Sequence, residues 1–374
     1  MTHAQIIIIG AGLSGLYAAY QLEQQGMTDY LVIEAREEIG GRIQSVTIDA
    51  AQSESEAFDL GATWFWEKQQ PQLTQLIDQF GLESFYQYEQ GDLLIDRTSS
   101  RAALRMQGVQ TAPARRLKGG MKMLVQKIAS HIPNEKILLG HAVKKLRQQN
   151  ELVEVEITKT SAELKTLTAS QILLAVPPRL AIKTIQFLPA LPQELVTQWQ
   201  STNTWMAAHA KYFAIYPHAF WREQNLSGAV HGTVTPLFEI HDASSLDGNA
   251  ALFGFIGAPV SSRQQLSEAA LCQLCRKQLV RLFGEQAAHP IHEFIKDWTT
   301  DPWVATPEDA TTSLLSAGIP DAMPSNGNWK QHLIAISTEF SPHYQGYLAG
   351  AIEAASLGVE TAIKHFIQQK LNHA

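Results

Sequence analysis

Ile6-Ile7-Ile8-Ile9-Gly10-Ala11-Gly12-Leu13-Ser14-Gly15 is the stretch that decides the fold. The apolar run reads as a strand buried on both faces, and the glycines ending it read as a turn into a helix. Gly10 permits a tight turn, Gly12 lets backbone approach a pyrophosphate, and Gly15 lets the helix pack close to the strand. The helix start at Leu13 and Ser14 offers free N–H groups and a positive dipole end to phosphate. A second strand, Tyr30-Leu31-Val32-Ile33, ends in Glu34, nineteen residues after Gly15. A carboxylate at that spacing hydrogen-bonds the ribose hydroxyls of a dinucleotide. Strand, glycine turn, helix, strand and acid together are far more specific than GxGxxG alone.

A second glycine pair selects the dinucleotide. A nicotinamide enzyme has no need of Gly40-Gly41-Arg42 so soon after its ribose carboxylate, whereas a protein that buries a whole FAD does. Two small residues let the chain pass the pyrophosphate, and an arginine adds charge there. Glu34-Ala35-Arg36-Glu37-Glu38-Ile39-Gly40-Gly41-Arg42 closely resembles the E-A-R-x-x-x-G-G-R signature of the flavin-containing monoamine oxidase family. Phe58-Asp59-Leu60-Gly61-Ala62-Thr63-Trp64 resembles that family's next block. The resemblance implies that Gly61, Ala62 and Thr63 run beside the flavin.

Composition sets the outer limits. With 374 residues, 45% hydrophobic and 17% charged, the chain has room for two domains with separate cores. A net charge of -7 argues against a nucleic-acid partner, and the basic patches 115–118 and 144–147 are short enough to be solvated surface. No stretch approaches the roughly twenty apolar residues of a membrane span. The polar end, Lys364-His365-Phe366-Ile367-Gln368-Gln369-Lys370, contrasts with the C-terminal anchor of mitochondrial family members, and a cytoplasmic location is expected. The two cysteines, Cys272 and Cys275, have CxxC spacing but fall in a helical stretch, 267–283, with Leu271, Leu274, Leu279 and Leu282. Two cysteines are half a zinc site, and a structural role is the better reading. No metal is assigned.

Along the chain, 71–80 reads as a helix, 91–113 as irregular with few core residues, and Gly119-Gly120-Met121 as the opening of another helix. Residues 137–146, 152–158 and 172–176 read as strands, the last stopped by Pro177-Pro178. The meander brings Val143 to the place where, by the resemblance, adenine packs. Strands are expected at 211–216 and 252–256, a helix at 267–283, loop over 297–327, and a strand at 333–338 followed by a helix from Gly346. The expected fold is α/β: a two-domain FAD-dependent amine oxidase-like fold. Its doubly wound nucleotide-binding domain (1–66, 114–178, 327–374) is interleaved with an α+β substrate domain (67–113, 179–326).

Lys211 stands in the apolar Ala210-Lys211-Tyr212-Phe213-Ala214-Ile215-Tyr216, ten residues before Trp221. There it must find water, find a partner or lose its proton, and a strand-edge lysine with its head in solvent is the plain alternative. The resemblance implies a lysine that holds water against flavin N5. Ser337-Thr338-Glu339 through Gly346-Tyr347-Leu348-Ala349-Gly350-Ala351 resembles the family's closing block, G-T-E-T and G-Y-M-E-G-A. It implies cofactor contacts by Ser337, Thr338, Glu339, Gly346, Tyr347, Leu348 and Ala351, a helix start facing the flavin, and a cage role for the Tyr347 ring. Trp298 and Asp301-Pro302 also fit the family.

The departures carry information. Ser337 replaces a glycine. Pro307 falls where some members carry the cysteine that bonds flavin, so FAD is expected without a covalent bond. Glu308 falls near the second cage aromatic. The 61–119 segment is short beside its family counterpart, and Trp64, Phe65 and Trp66 are candidate replacement aromatics.

The expected function is oxidation of an amine to an imine, with hydride passing to flavin N5 and dioxygen as acceptor giving hydrogen peroxide. A C–C dehydrogenase and a weakly catalytic FAD-binding interaction protein stay open beside it. Lys211 argues against the former; the missing aromatic and short substrate region argue for one or the other.

Overall fold

The opening strand forms where the sequence puts it. Thr2–Ile9 pairs in parallel with Tyr30–Ile33 on one side and Leu164–Leu174 on the other. The computed structural model describes residues 2–48, 57–107, 112–159, 164–310 and 318–372. These fall into two units, 1–44 with 124–205 and 302–374, and 45–123 with 206–301.

Unit 1 is built on an eight-stranded sheet. Its parallel part holds Ile137–Leu138, Tyr30–Ile33, Thr2–Ile9, the end of Leu164–Leu174, and Leu333–Ala335. Its antiparallel part is the meander His141–Gln149, Leu152–Lys159 and the start of Leu164–Leu174. Leu164–Leu174 is long enough to serve both. Ile7, Ile9, Val155, Leu174, Trp199 and Leu333 share one core. The helices Leu13–Gln24 and Leu348–Asn372 pack together, with Gln21 donating to the Ser356 hydroxyl.

Unit 2 is built on a seven-stranded sheet in the order His292–Asp297, Ala210–Tyr216, Ala250–Ile256, Leu237–Asp242, Leu226–Gly232, Asp92–Asp96, Leu104–Met106. Ala210–Tyr216 is buried at every residue. Ala210, Tyr212, Ala214 and Tyr216 pack with the helix Glu268–Phe283. Phe213 and Ile215 join Ile48, Phe58 and Phe253 on the other face. Period-two alternation therefore divides one apolar strand between two cores. Ser267 caps the helix by accepting from the Ala270 N–H. Cys272 and Cys275 are free and buried in the helix–sheet core. Burial pushes the Cys272 thiol up to about 11 and raises Cys275 as well. That is packing rather than redox behaviour, and the helix turns Leu274 outward instead.

Three readings need correction. The stretch 91–113 is not irregular throughout: Asp92–Asp96 is a buried strand in parallel with Leu226–Gly232, edged by Leu104–Met106. Its terminal acids disguised it; Asp92 takes Arg105, and Asp96 takes Arg281 and Gln278. The strand expected at 137–146 is two strands, broken at Gly140, where φ is +68°. The domain boundaries also move. Residues 45–66 fall in unit 2 because Ser45–Val46 pairs with Phe58–Asp59, and Ile48 and Phe58 enter its core. Residues 114–123 follow them, since the Met121 N–H donates to Asp59. Residues 179–205 fall in unit 1, where Ala181, Leu195 and Trp199 pack with its sheet. Residues 302–326 do too, where described, with Asp309 bonded to Arg179. Part of the loop expected at 297–327 lies outside the described residues.

Candidate functional site

In unit 1 the two glycine motifs meet. Gly12 and Gly40 form a parallel bridge, and the Gly40 N–H donates to Ala11 O at 2.9 Å. Gly10 has φ +104°, and a Cβ on Gly15 would lie 1.9 Å from Gly10 O. The chain itself therefore demands glycine at both positions. Gly12 differs: its φ is -74° and ψ -177°, open to any residue. A Cβ there would meet only Gly40 O at 3.8 Å and Gly41 Cα at 3.9 Å, ordinary distances. Nothing in the fold requires Gly12; its missing side chain leaves open space beside Gly40 and Gly41. Gly41, at φ +59°, sits against the Gly12 Cα.

Glu34 is buried. One carboxylate oxygen accepts the Ala11 N–H at 2.7 Å and the other the Arg36 N–H at 3.0 Å. Burial pushes its carboxyl up, and the two N–H bonds pull it back. Each oxygen retains a lone pair for a ribose hydroxyl. Val143, on the strand whose first residue, His141, donates its N–H to Glu34 O, is buried in the unit 1 core. Arg42 donates to both oxygens of Glu339, at 2.6 and 3.1 Å, and Glu339 is fully buried. Its charge is thereby matched within unit 1, where the sequence reading has it adding charge at the pyrophosphate.

At the carboxyl edge of the parallel sheet, Ser337 is buried and its Oγ has no partner among the described residues. Thr338 donates its hydroxyl to Tyr347 O at 2.8 Å, fixing the start of the helix Leu348–Asn372. Ala351 closes the first turn onto the same oxygen. Gly346 has φ +84°, and a Cβ there would lie 3.0 Å from Trp205 Cβ and Cγ. Tyr347 itself is 49% exposed. The space at Gly12, the spare lone pairs of Glu34 and the orphaned Ser337 hydroxyl together fit a bound dinucleotide.

In unit 2 Lys211 is fully buried, which removes the strand-edge alternative. Its Nζ donates to Gly61 O at 2.6 Å and Thr63 Oγ1 at 2.9 Å, with Asp59 O at 3.4 Å. The Phe253 and Phe255 ring centroids lie 4.6 and 5.4 Å away. Burial pushes the amine down to about 7; Asp59 pulls it up and Arg116 pushes it further down. Trp298 steadies the same segment by donating to Leu60 O at 3.1 Å. Gly61 and Thr63, with Ala62 between them, are thus the lysine's own cradle.

Cross-strand register continues the row: Lys211 opposes Phe255, Phe255 opposes Glu239, and Glu239 opposes His231. Opposed residues point to one face. Glu239 bonds His241 Nε2 at 2.7 Å, and that bond holds its carboxyl low. Trp64 stands edge-on to His241 at 4.7 Å and tilted on Phe253 at 5.4 Å, while Phe65 is buried. The sequence reading missed Glu239, His231, His241 and, in unit 1, Trp205. The alternation Leu237-Phe238-Glu239-Ile240-His241 was the available signal.

Glu308, expected near the second cage position, lies exposed near Lys183, at 3.6 Å, in a short turn of 3-10 helix begun by Pro307. Its neighbour Asp309 is the buried acid, held by Arg179 at 2.6 Å and the Thr306 hydroxyl at 2.9 Å. Among the described residues no group of three or more His, Cys, Asp and Glu could hold a metal, and no helix is long and apolar enough to cross a membrane.

Comparison with known proteins agrees with this geometry. A family model described as flavin containing amine oxidoreductase matches residues 85–357. A second, described as an NAD(P)-binding Rossmann-like domain, matches residues 8–80. Putrescine oxidase from Kocuria rosea is 23% identical over 415 residues, covering 80% of this chain and 82% of its own. The putative flavin-containing monoamine oxidase AofH of Mycobacterium tuberculosis is 27% identical over 253 residues; these cover 64% of this chain and only 50% of AofH. Two solved structures share the fold over 97% of this chain and 99% of theirs. They are wild-type putrescine oxidase bound to putrescine (TM-score 0.81, 18% identity) and cyclohexylamine oxidase from Brevibacterium oxydans IH-35A (TM-score 0.78, 21% identity). With its dinucleotide cradle and a family match over most of its length, this chain belongs to the flavin-containing amine oxidoreductases and is an FAD-dependent member of that family.

Proposed function

We propose that the chain oxidises an amine to an imine, uses dioxygen as acceptor and binds FAD without a covalent bond. Unit 1 serves the cofactor and unit 2 the substrate. The observation that carries the reading is the burial of Lys211 with an amine pushed down to about 7. Bound FAD would accept the electron pair of the C–H bond broken at the amine's α-carbon. Glu34 would hold the ribose, and Gly12 leaves room for the pyrophosphate.

A neutral Lys211 has two N–H groups and one lone pair. Gly61 O and Thr63 Oγ1 take both N–H groups at 2.6 and 2.9 Å. Asp59 O at 3.4 Å is a longer third contact, and beside it the lone pair would accept a hydrogen bond from a water that the lysine orients. Phe253 and Phe255 exclude further water from that amine. Glu239, in the same row, suits a substrate with a second cationic group; putrescine, the diamine named for one relative, has that character.

A panel of mono- and diamines with peroxide detection tests the reading. Stopped-flow measurement of flavin reduction and reoxidation in Lys211→Met assigns the lysine, and both rates matching wild type would remove it from the chemistry. Flavin reduction by a saturated carbon substrate, with every amine inert, would favour the C–C dehydrogenase.

A further inference from the structure

The carboxyl edge of the parallel sheet in unit 1 has a fixed order. Ile33, Ile9, Leu174 and Ala335 stand in register across four neighbouring strands. The ladder runs to the edge on all of them. The Gly10 N–H donates to Ile33 O, the Ala175 N–H to Ile9 O and the Ile336 N–H to Leu174 O, each at 2.8 Å. Glu34, Gly10, Ala175 and Ser337 therefore follow one another across the edge, with Glu34 and Ser337 on opposite sides of the glycine turn. Ser337 lies two strand spacings, roughly 10 Å, beyond that turn. In open sheets of this kind ligands bind in the crevice outside these strand ends.

Ser337 is 1% exposed, and its Oγ has no partner among the described residues. Its backbone, at φ -70° and ψ 162°, is open to any residue, so conformation does not select serine. A serine ahead of a helical turn ordinarily spends its hydroxyl on a nearby N–H. Here the Phe340 N–H goes to the Ser337 carbonyl instead, and the hydroxyl that fixes Tyr347 O belongs to Thr338. A buried hydroxyl without a partner costs stability, and the loss is recovered when a ligand takes the bond. Two residues on, Glu339 is matched by Arg42, so that pair presents no net charge there. Such a setting suits a neutral polyol better than a phosphate.

We propose that the Ser337 hydroxyl hydrogen-bonds the ribityl chain of bound FAD. The inference rests on the reading of Glu34 at the adenosine ribose and of Gly12 at the pyrophosphate. With those two parts placed, the ribityl chain that follows the pyrophosphate crosses the edge away from Glu34, toward Ser337. Where the family motif has glycine, this chain supplies one more bond to its cofactor.

The test compares FAD with ADP, which carries the adenosine and both phosphates but no ribityl chain. Both are titrated into the flavin-stripped full chain, FAD by fluorescence quenching and ADP by calorimetry. Ser337→Ala should raise the FAD dissociation constant about 5- to 10-fold, the scale of one neutral hydrogen bond, and leave ADP binding unchanged. Ser337→Gly should do the same. The urea midpoint of the stripped protein should stay level or rise in Ser337→Ala, because the buried orphan is gone. Four results would each overturn the proposal. Unchanged FAD affinity in both variants would make the hydroxyl idle. Tighter FAD in Ser337→Gly would mean that the serine only crowds the cofactor. Equal losses for FAD and ADP would put the bond at the pyrophosphate, and a lowered urea midpoint in Ser337→Ala would put it within the protein. If Ser337→Gly does not fold, the alanine variant decides alone by the difference between FAD and ADP. Glu34→Ala should weaken both ligands; if it weakens neither, the reading of Glu34 at the ribose fails, and it does so separately from the Ser337 comparison.

Discussion

Gly12 and Gly15, three residues apart in one motif, should fail in different ways when changed to alanine. At Gly15 the new Cβ would sit 1.9 Å from a backbone oxygen, Gly10 O, inside any permitted contact. Neither atom is on a flexible side chain, so strand and helix must separate. Overpacking of this kind costs roughly 1–3 kcal/mol or more, and the apoprotein should lose that much stability. At Gly12 the nearest atoms are 3.8 and 3.9 Å away and the backbone is extended. Alanine there should leave the apoprotein unharmed, or stabilise it by about 0.4–1 kcal/mol through the unfolded chain. The same methyl would occupy space proposed for the pyrophosphate and displace at least one charge-assisted hydrogen bond, worth about 1.5–3 kcal/mol. FAD should then bind roughly 10- to 150-fold more weakly. Urea unfolding of flavin-stripped protein and titration with FAD by fluorescence quenching measure the two effects separately. Wild-type FAD affinity in Gly12→Ala, or an apoprotein weakened more by Gly12→Ala than by Gly15→Ala, would refute the argument.

Acid precipitation should leave the yellow colour in the supernatant, since Pro307 offers no thiol to the cofactor; flavin retained in the washed pellet would contradict this. Lys211 titrates near 7 in the folded chain and near 10.5 unfolded, so the unfolded state binds the extra proton between those values and stability from this group rises with pH across that window. Lys211→Met should therefore gain stability over wild type as pH falls from about 10 toward 7, and parallel urea midpoints for the two proteins throughout would show that the lysine stays charged. Glu239→Gln should raise KM for amines bearing a second cation by about 5- to 10-fold, roughly 1 kcal/mol for a partly solvated ion pair, and leave simple monoamines unaffected; an equal change for both classes would mean Glu239 is structural. Tyr347→Ala should cost about 1–2 kcal/mol in the specificity constant and Tyr347→Phe far less, and equal activity of the alanine variant and wild type would remove the ring from substrate recognition.

The glycine turn and the acid that follows it were legible because their geometry is local. Gly10, Gly12, Gly15 and Glu34 sit within one strand–helix–strand unit, where spacing alone determines which group faces which. Lys211 was half legible: an apolar strand declares that an amine is in trouble, but not that Gly61 and Thr63, some 150 residues away in the chain, receive it. Glu239 was legible only as one position in an alternating strand. Its place in the row with Lys211 depends on the register of strands that pair across long connections, and register leaves no mark on a strand whose neighbours are unknown. Asp92–Asp96 failed for a related reason, since its acids look solvated until Arg105 and Arg281 are seen beside them. The unit boundaries followed the same logic, set by which core received Ile48, Phe58 and Trp199 rather than by any break in composition.

The parallel sheet of unit 1 constrains how the protein can be made. Its first strand is Thr2–Ile9, and Leu333–Ala335 docks onto Leu164–Leu174 beside it. Arg42 finds its carboxylate only at Glu339, 297 residues later. The segment from Leu333 to Glu339 must therefore have left the ribosome before the cofactor half can close. Until then the glycine turn hangs from a sheet with an open apolar edge. Pairings of such sequence separation form slowly and expose sticky surface while they wait. Deletions that remove Leu333–Glu339 should damage cofactor loading as surely as deletions in the glycine turn, and free FAD present during synthesis should help only after that segment has emerged.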